Sequence, residues 1–333
     1  MILVTGGAGF IGSNFILHWL RDPNEAVVNF DKLTYASNLG ALSSLKSSPA
    51  YNFIQGDIAN KELVGCILKQ FHPRAIIHFA AETHVDRAID KPVDFIQTNI
   101  VGTFCLLDAT YHYWQRLVPS EQDNFRFLHV STDEVYGSLS ASDSPVTEKA
   151  RYAPSNPYAA TKASSDHLVN AWHKTYGLPI LLSHASNNYG AFQHIEKLIP
   201  ATVMRLLRNE PALIYGDGSY TRDWLYVIDH CCALEYLLMH GKVGETYAIA
   251  AGNEKTNLAV VDAIFDALSS LQLMSAPLKI EFVKDRLGHD KRYAMDTTKI
   301  RHLGWQPCED FTDGILKTVS WYLSHPLWVQ QHG

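Results

Sequence analysis

The 333-residue chain predicts an α/β fold, a doubly wound parallel sheet followed by a smaller C-terminal α/β lobe. Three observations carry this prediction. A short apolar strand at the N-terminus runs into a glycine-rich turn and then a helix. Strand-like and helix-like runs alternate as far as residue 185, the pattern of parallel strands joined by crossover helices. Beyond residue 186 the alternation loosens into a mixed remainder. The expected division is therefore 1–185 and 186–333, with possible chain crossings back to the first sheet.

Ile2-Leu3-Val4 reads as a buried strand, followed by Thr5-Gly6-Gly7-Ala8-Gly9-Phe10-Ile11-Gly12 and an amphipathic helix over 13–21. Two overlapping glycine spacings are present, one through Gly7, Gly9 and Gly12 and one through Gly6, Gly9 and Gly12. Each lets backbone approach a pyrophosphate at a helix N-terminus. A second strand, 26–30, ends in Asp31, about 20 residues on, where an acid meets ribose hydroxyls and repels a 2′-phosphate. That context favours NAD over NADP; a tight turn with an unrelated Asp is the competing reading. Strands over 51–54 and 75–79, with a helix over 61–70 between them, deliver Gly56-Asp57-Ile58 and Ala80-Ala81-Glu82-Thr83-His84 to one sheet end. Asp57 fits the adenine end of a dinucleotide or a plain surface position. His84 reads as a site residue or a polar loop residue.

A long helical pattern over 93–114 carries Asn99, and a polar loop is expected over 119–124. The apolar strand 125–130 then leads to Ser131-Thr132-Asp133-Glu134-Val135-Tyr136-Gly137. In that stretch Thr132 suits a substrate hydroxyl, and Asp133 and Glu134, in different surroundings, suit one acid and one base. A solvated strand end with capping carboxylates is the alternative. A Ser-, Pro- and Ala-rich flap over 138–157 precedes Tyr158-Ala159-Ala160-Thr161-Lys162, which opens a helix to about residue 176. Four-residue spacing puts Tyr158 and Lys162 on one face, where the ammonium is expected to lower the phenol pKa and reach a nicotinamide ribose.

The strand 179–183 leads to Ser186-Asn187-Asn188-Tyr189-Gly190, and a helix is expected over 197–207. Arg222, Asn257, Arg286 and His289 recur on the loops beyond. Arginine matches phosphate bidentately, so a diphosphate ligand is plausible, although each arginine taken singly reads as a surface ion pair. The last helix, 313–324, carries Ile315, Leu316, Val319 and Tyr322 as core.

The formal charge of −6 is spread without long runs of either sign, and charged residues make up 19% of the chain, so neither nucleic acid nor a membrane surface is called for. Five scattered cysteines lack metal-ligand spacing, so reduced thiols and no metal are expected, with Cys231-Cys232 packed in a helix. No basic leader, long apolar span or cleavage site opens the chain, and a cytoplasmic address is expected.

The ordered set of glycine turn, Asp31, Thr132 and Tyr158-x-x-x-Lys162 resembles the extended short-chain dehydrogenase/reductase family and its Rossmann fold. The strings Phe30 to Ala36, Ala80 to Arg87, Ser131 to Gly137, Glu196 to Pro200 and Arg222 to Val227 narrow the resemblance to the dTDP-glucose 4,6-dehydratases, over nearly the whole chain. The Thr-Asp-Glu triplet is its most specific part. The resemblance implies NAD held by Gly6, Gly9, Phe10, Ile11, Gly12, Asp31, Lys32, Leu33, Thr34, Asp57, Ile58, Ala80, Ala81, Asn99, Tyr158, Lys162 and Asn188. It implies a nucleotide sugar met by His84, Thr132, Asn187, Lys197, Leu198, Arg222, Asn257, Arg286 and His289. It further implies Tyr158 with Thr132 and Lys162 for oxidation at sugar C4, Glu134 as base at C5 and Asp133 as acid at C6. A homodimer through the helices 93–114 and 158–176 is expected on the same ground.

This chain departs from the family pattern at His184, where Arg is usual, and at Ala191, Ile195 and Leu287, where Pro is usual. The readings left in competition are a UDP-sugar 4,6-dehydratase, a nucleotide-sugar epimerase or decarboxylase, and a non-catalytic NAD-binding scaffold. The last leaves Tyr158, Lys162 and Glu134 idle.

Overall fold

The structure, a computed structural model, describes residues 1–22, 24–274, 276–326 and 328. Strand β1 (Ile2–Thr5) is wholly buried, and helix α1 (Phe10–Trp19) starts directly from the glycine turn, three residues earlier than periodicity suggests. Phe10 and Ile11 form its first turn and Gly12 lies inside it. Next come β2 (Val27–Asp31), β3 (Tyr51–Gln55), α2 (Lys61–Phe71) and β4 (Ala75–His78).

The expected long helix over 93–114 is three pieces. After α3 (Val85–Asp90), the chain forms α4 (Pro92–Phe95), a π-helical segment Ile96–Gly102 and α5 (Thr103–Trp114). The expected polar loop over 119–124 is instead helix α6 (Pro119–Asn124), with Pro119 in its first turn and the Glu121 carboxylate accepting from the Val118 N–H at 3.4 Å. Strand β5 (Arg126–Thr132) passes into a 3₁₀ turn, Asp133–Tyr136, and α7 (Pro157–Tyr176) leads to β6 (Ile180–Ala185).

The remainder comprises β7 (Asn187–Tyr189), α8 (Leu198–Leu207), β8 (Ala212–Tyr215), β9 (Thr221–Tyr226), α9 (Val227–His240) and β10 (Thr246–Ile249). It closes with β11 (Glu254–Thr256), α10 (Asn257–Ser270), β12 (Ile280–Val283), α11 (Thr298–Leu303) and α12 (Phe311–Ser324).

Seven parallel strands form the main sheet in the order β10-β6-β5-β4-β1-β2-β3. The order reverses between β1 and β4, which opens a crevice at the carboxyl ends of the strands. One apolar core packs α1 and α9 on one face of the sheet, through Phe15, Ile16, Leu234 and Leu237. A second packs α2, α5 and α7 on the other, through Val64, Leu106, Leu107 and Val169. Thus α9 and β10, both beyond residue 186, belong to the first layer.

A third core joins α8, α10 and α12 through Val203, Ile264, Val319 and Tyr322, beside a β11-β9-β7 sheet and a β12-β8 pair. Leu316 does not join it: its side chain is 36% exposed, one position round the helix from buried Ile315. Cys231 is buried on α9 and Cys232 partly so, and all five cysteines are free thiols. Among the described residues no helix is long and apolar enough to cross a membrane, and no group of His, Cys, Asp and Glu is placed to hold a metal ion.

Candidate active site

The crevice at the strand ends is the main cavity, and its floor is the glycine turn. Gly6 has φ +71°, and a Cβ there would sit 2.5 Å from the Ala80 nitrogen, so the β1–α1 turn lies against the exit of β4. A Cβ on Gly12 would collide with the Gly6 carbonyl. Helix α1 has Gly9 as its N-cap, with no side-chain cap and no acid in its first turn. Its N-terminal amides at Phe10, Ile11 and Gly12 therefore face the cavity uncompensated, an anion-binding end.

Asp31, buried at the end of β2, accepts from the Ala8 N–H at 2.9 Å, the Leu33 N–H at 2.8 Å and the Ser37 hydroxyl at 2.9 Å. It fixes the loop and still lines the cavity. Lys32 pairs with Asp57 at 2.7 Å, and both line the wall with Thr34, Ile58, Ala80 and Ala81. This floor and wall fit a dinucleotide: amides for the pyrophosphate, an acid at the ribose position, and small residues where a flat ring must lie against backbone.

Two residues expected at the cofactor are not among those that line the cavity. Leu33 bends its backbone round Asp31, at φ 61°, and is not part of the cavity wall. Asn99, on the π-helical segment, accepts from the Glu82 N–H at 2.8 Å and donates to the Glu82 carbonyl at 3.0 Å and the Thr161 hydroxyl at 2.9 Å. It holds the β4 exit loop against α7.

The opposite wall carries the chemistry. Thr132 ends β5 and caps the 3₁₀ turn, its Oγ1 accepting from the Glu134 N–H at 3.3 Å and lying 3.2 Å from Asp133 Oδ1. Gly137, at φ +76°, lets the chain leave the turn. Asp133 is 3% exposed, and burial first, then the neighbouring Glu134, push its carboxyl well above the usual range. Burial also raises Glu134, with Arg222 and a 3.4 Å contact from the Asn156 amide opposing.

Tyr158 and Lys162 share one face of α7 as expected. Lys162 Nζ donates to the Val130 carbonyl at 2.9 Å, and burial brings its pKa down to about 8. Burial and the charges of Glu134 and Asp133 push the Tyr158 phenol well up, the Thr132 hydroxyl working the other way.

His84, Asn187, Asn188 and Lys197 complete the cavity. Asn188 is locked by His230, 2.9 Å from its Oδ1, and by its own bond to the Ser186 carbonyl at 2.9 Å. Asn187 Oδ1 is buried without a protein partner. Burial lowers His84 to about 4, its Nε2 lying 3.4 Å from Glu196.

The remaining predicted residues lie outside this wall. Leu198 starts α8 and packs into the third core. Arg222 donates to the carbonyls of Thr221, Lys291 and Asp290 at 2.8, 3.2 and 2.7 Å, and stacks on Tyr293, where its charge acts on Asp133 and Glu134 from behind. Asn257 opens α10. Arg286 stacks on Tyr215 and pairs with Asp86 at 3.0 Å, and His289 bonds Asp285 at 2.7 Å. The Arg286 charge also acts on Lys197, which burial chiefly lowers.

Asn156, Glu82 and Tyr35 are among the residues missed. Asn156 caps α7 through the Ala159 N–H at 2.9 Å while touching Glu134, and its position before Pro157 carried the cap signal. Glu82 and Tyr35 also line the cavity, Tyr35 beneath the Arg87 guanidinium at 3.4 Å. Both lie in strings that carry the resemblance, Phe30 to Ala36 and Ala80 to Arg87.

Residues 3–318 match the family model described as GDP-mannose 4,6 dehydratase. A dTDP-glucose 4,6-dehydratase of Neisseria meningitidis serogroup B is 51% identical, over 99% of this chain and 95% of that one. One from Escherichia coli is 50% identical, over 99% and 94%. The crystal structure of the Bacillus anthracis dTDP-glucose 4,6-dehydratase in complex with NAD superposes with a TM-score of 0.89 at 40% identity, covering 100% of this chain and 99% of that one. A Thermus thermophilus UDP-glucose 4-epimerase complex with NAD gives 0.85 at only 26%, covering 97% and 98%. With an acid pair beside a Tyr-Lys pair at the mouth of a dinucleotide cradle, and relatives of this similarity along its whole length, the chain belongs to the dTDP-glucose 4,6-dehydratase family.

Proposed function

We propose that the protein is an NAD-dependent hydro-lyase that converts dTDP-glucose to dTDP-4-keto-6-deoxyglucose, a step toward deoxysugars such as rhamnose. The observation that carries this reading is Asp133 and Glu134 on the same cavity wall as Tyr158 and Lys162. Oxidation and return of a hydride need only the Tyr-Lys pair; loss of water between them needs a second acid and base. NAD, held by the Gly6, Gly9 and Gly12 turn and Asp31, would supply a hydride acceptor at sugar C4 and a hydride donor at C6.

This chain's residues move the protons. Tyr158, as its phenolate and with Thr132 beside it, takes the C4 hydroxyl proton; Lys162, charged below pH about 8, favours that phenolate against the carboxylates that push the phenol toward its neutral form. The C4 ketone acidifies C5–H, Glu134 removes that proton, and Asp133 protonates the C6 hydroxyl, which departs as water. Glu134 returns a proton to C5 as C6 is reduced, and the proton held by Tyr158 replaces the one Asp133 gave. One water is lost and no net redox change results.

The nucleotide diphosphate extends past His84, Asn187 and Lys197 toward Arg222, Asn257, Arg286 and His289, so residues 186–333 serve mainly the sugar nucleotide and 1–185 mainly NAD. The exposed apolar side chains of Val93, Ile96 and Phe104, along the helices that precede α7, support a homodimer there. Mass spectrometry of dTDP-glucose carrying deuterium at C4, incubated without added reductant, tests the activity. Product lighter by one water with deuterium at C6 is expected. Retained water with inverted stereochemistry overturns the reading in favour of epimerisation.

A further inference from the structure

Behind the reactive wall lies a buried polar cluster that the chemistry above does not use. Asp166 stands one helical turn after Lys162 on α7, with no exposed surface. Its Oδ2 accepts from the Ser131 hydroxyl at 3.0 Å and from His184 Nε2 at 3.1 Å, and its Oδ1 faces His129 Nε2 at 3.2 Å. With Nε2 of His184 donating to Asp166, its Nδ1 is left to accept, and the Tyr136 hydroxyl donates there at 2.7 Å. The Tyr152 hydroxyl also lies 3.0 Å from His184 Nε2. Burial alone would raise Asp166, yet the bonds from His129 and His184 hold it well below the usual carboxylate range.

Ser131 immediately precedes Thr132, and Tyr136 ends the 3₁₀ turn that carries Asp133 and Glu134. Both ends of the acid–base turn are therefore tied, one directly and one through His184, to a single carboxylate on the helix that carries Tyr158 and Lys162. We propose that Asp166 and His184 are positioning residues, a buried brace that keeps the elimination pair in register with the oxidation pair. The proposal rests on the function assigned above, in which one bound sugar must meet both pairs without moving. Burying a carboxylate among imidazoles is costly, and an apolar core would fill the same space with less demand. What the polar network adds is fixed geometry, on which proton transfer to and from carbon depends steeply.

The test is Tyr136→Phe combined with Ser131→Ala, which cuts both ties and keeps shape, with Asp166→Asn as a second variant and His184→Gln as the conservative one. Rapid mixing with dTDP-glucose should show the absorbance of reduced nicotinamide appearing at the wild-type rate but decaying at least about tenfold more slowly, with kcat reduced and KM within about twofold. NAD affinity should be unchanged, and His184→Gln, which keeps a donor for Asp166, should retain more activity than Asp166→Asn. A crystal structure of the double variant is the readout independent of turnover: Glu134 should shift relative to Tyr158. Wild-type transients, superposable carboxylates, or equal slowing of both half-reactions with a matching fall in Tm overturns the brace. A wild-type protein that forms neither reduced nicotinamide nor product sinks the assigned function instead, and the variant crystal structure still decides the brace.

Discussion

Glu134→Gln separates the two half-reactions most sharply. Glutamine keeps the length of the side chain and its contact with the Asn156 amide, 3.4 Å away in the native protein, while removing the group that takes the C5 proton. Loss of a general base costs about 10²–10⁴ in rate, or about 3–5 kcal/mol of barrier. Two electrostatic consequences follow from the same change. The Glu134 charge helps hold Asp133 protonated, so the variant also carries a weaker supply of acid at C6. The Glu134 charge also helps hold the Tyr158 phenol neutral, so its removal makes that phenol more acidic and leaves C4 oxidation unhindered. The expected outcome is asymmetric: the sugar is oxidised, reduced nicotinamide accumulates, and water is not lost. Stopped-flow absorbance gives the first half-reaction, and mass spectrometry of the sugar recovered from D₂O gives exchange at C5 and dehydration. Turnover within about threefold of wild type, a difference of less than about 1 kcal/mol, would refute the assignment. So would equal loss of both half-reactions.

Gly12→Ala places a methyl group against the Gly6 carbonyl and 2.8 Å from Gly7 Cα, so NAD affinity by fluorescence titration is expected to fall at least about tenfold, and an unchanged affinity refutes the close-packed turn. Asp31→Ala frees the Ala8 and Leu33 amides and the Ser37 hydroxyl, and the ratio of NADP to NAD dissociation constants should narrow; an unaltered ratio would show that the carboxylate does not discriminate. Lys162 titrates at about 8, so the rate of C4 oxidation should decline as pH rises through that value, and a flat profile to pH about 9 counts against an ammonium role. His129 and His230 are buried neutral, with pKa values of about 4 and about 3, below the unfolded value near 6.5. The unfolded chain therefore takes up protons first as pH falls, and the denaturant midpoint should drop progressively below pH about 6.5; a midpoint constant to pH about 5 refutes this.

The legible part of the molecule is the part that local chemistry dictates. The glycine turn, Asp31, the Thr-Asp-Glu turn and the Tyr-x-x-x-Lys helix start each need particular residues at fixed short spacing, and all of them stand together on the cavity wall. Helix α6 reads as loop from its polar composition, although Val118-Pro119-Ser120-Glu121 places a proline and a capping acid at its start. The π-helical segment at Asn99 was not legible, because the bonds of Asn99 to Glu82 and Thr161 join parts of the chain distant in sequence. Arg222 shows the same limit: its residue type suits phosphate, but its bonds to the Thr221, Lys291 and Asp290 carbonyls and its stack on Tyr293 join parts of the chain that sequence does not bring together. His184 stood out only as a departure from a pattern. Its bonds to Tyr136, Tyr152 and Asp166 depend on β6 lying beside β5, a pairing that its own neighbours in sequence do not announce.

Adjacent carboxylates can hold opposite duties here because a 3₁₀ turn rotates successive side chains by about a third of a circle. Both line the cavity, Asp133 the more deeply buried of the two and Glu134 the more open. Burial raises both, and Arg222 draws both down, but Asp133 is raised further and has Glu134 as its main charged opponent. The first proton taken up by the pair therefore settles on Asp133, and its presence relieves the repulsion that would otherwise lift Glu134. One acid and one base thus coexist at a single pH, which is what removal of a proton from C5 and delivery of a proton to the C6 hydroxyl require. The same shared proton explains why Tyr158 sits on this wall: the pair carries at most one negative charge while the phenol must ionise, and the proton that leaves C4 finds its way to the acid that has just been spent.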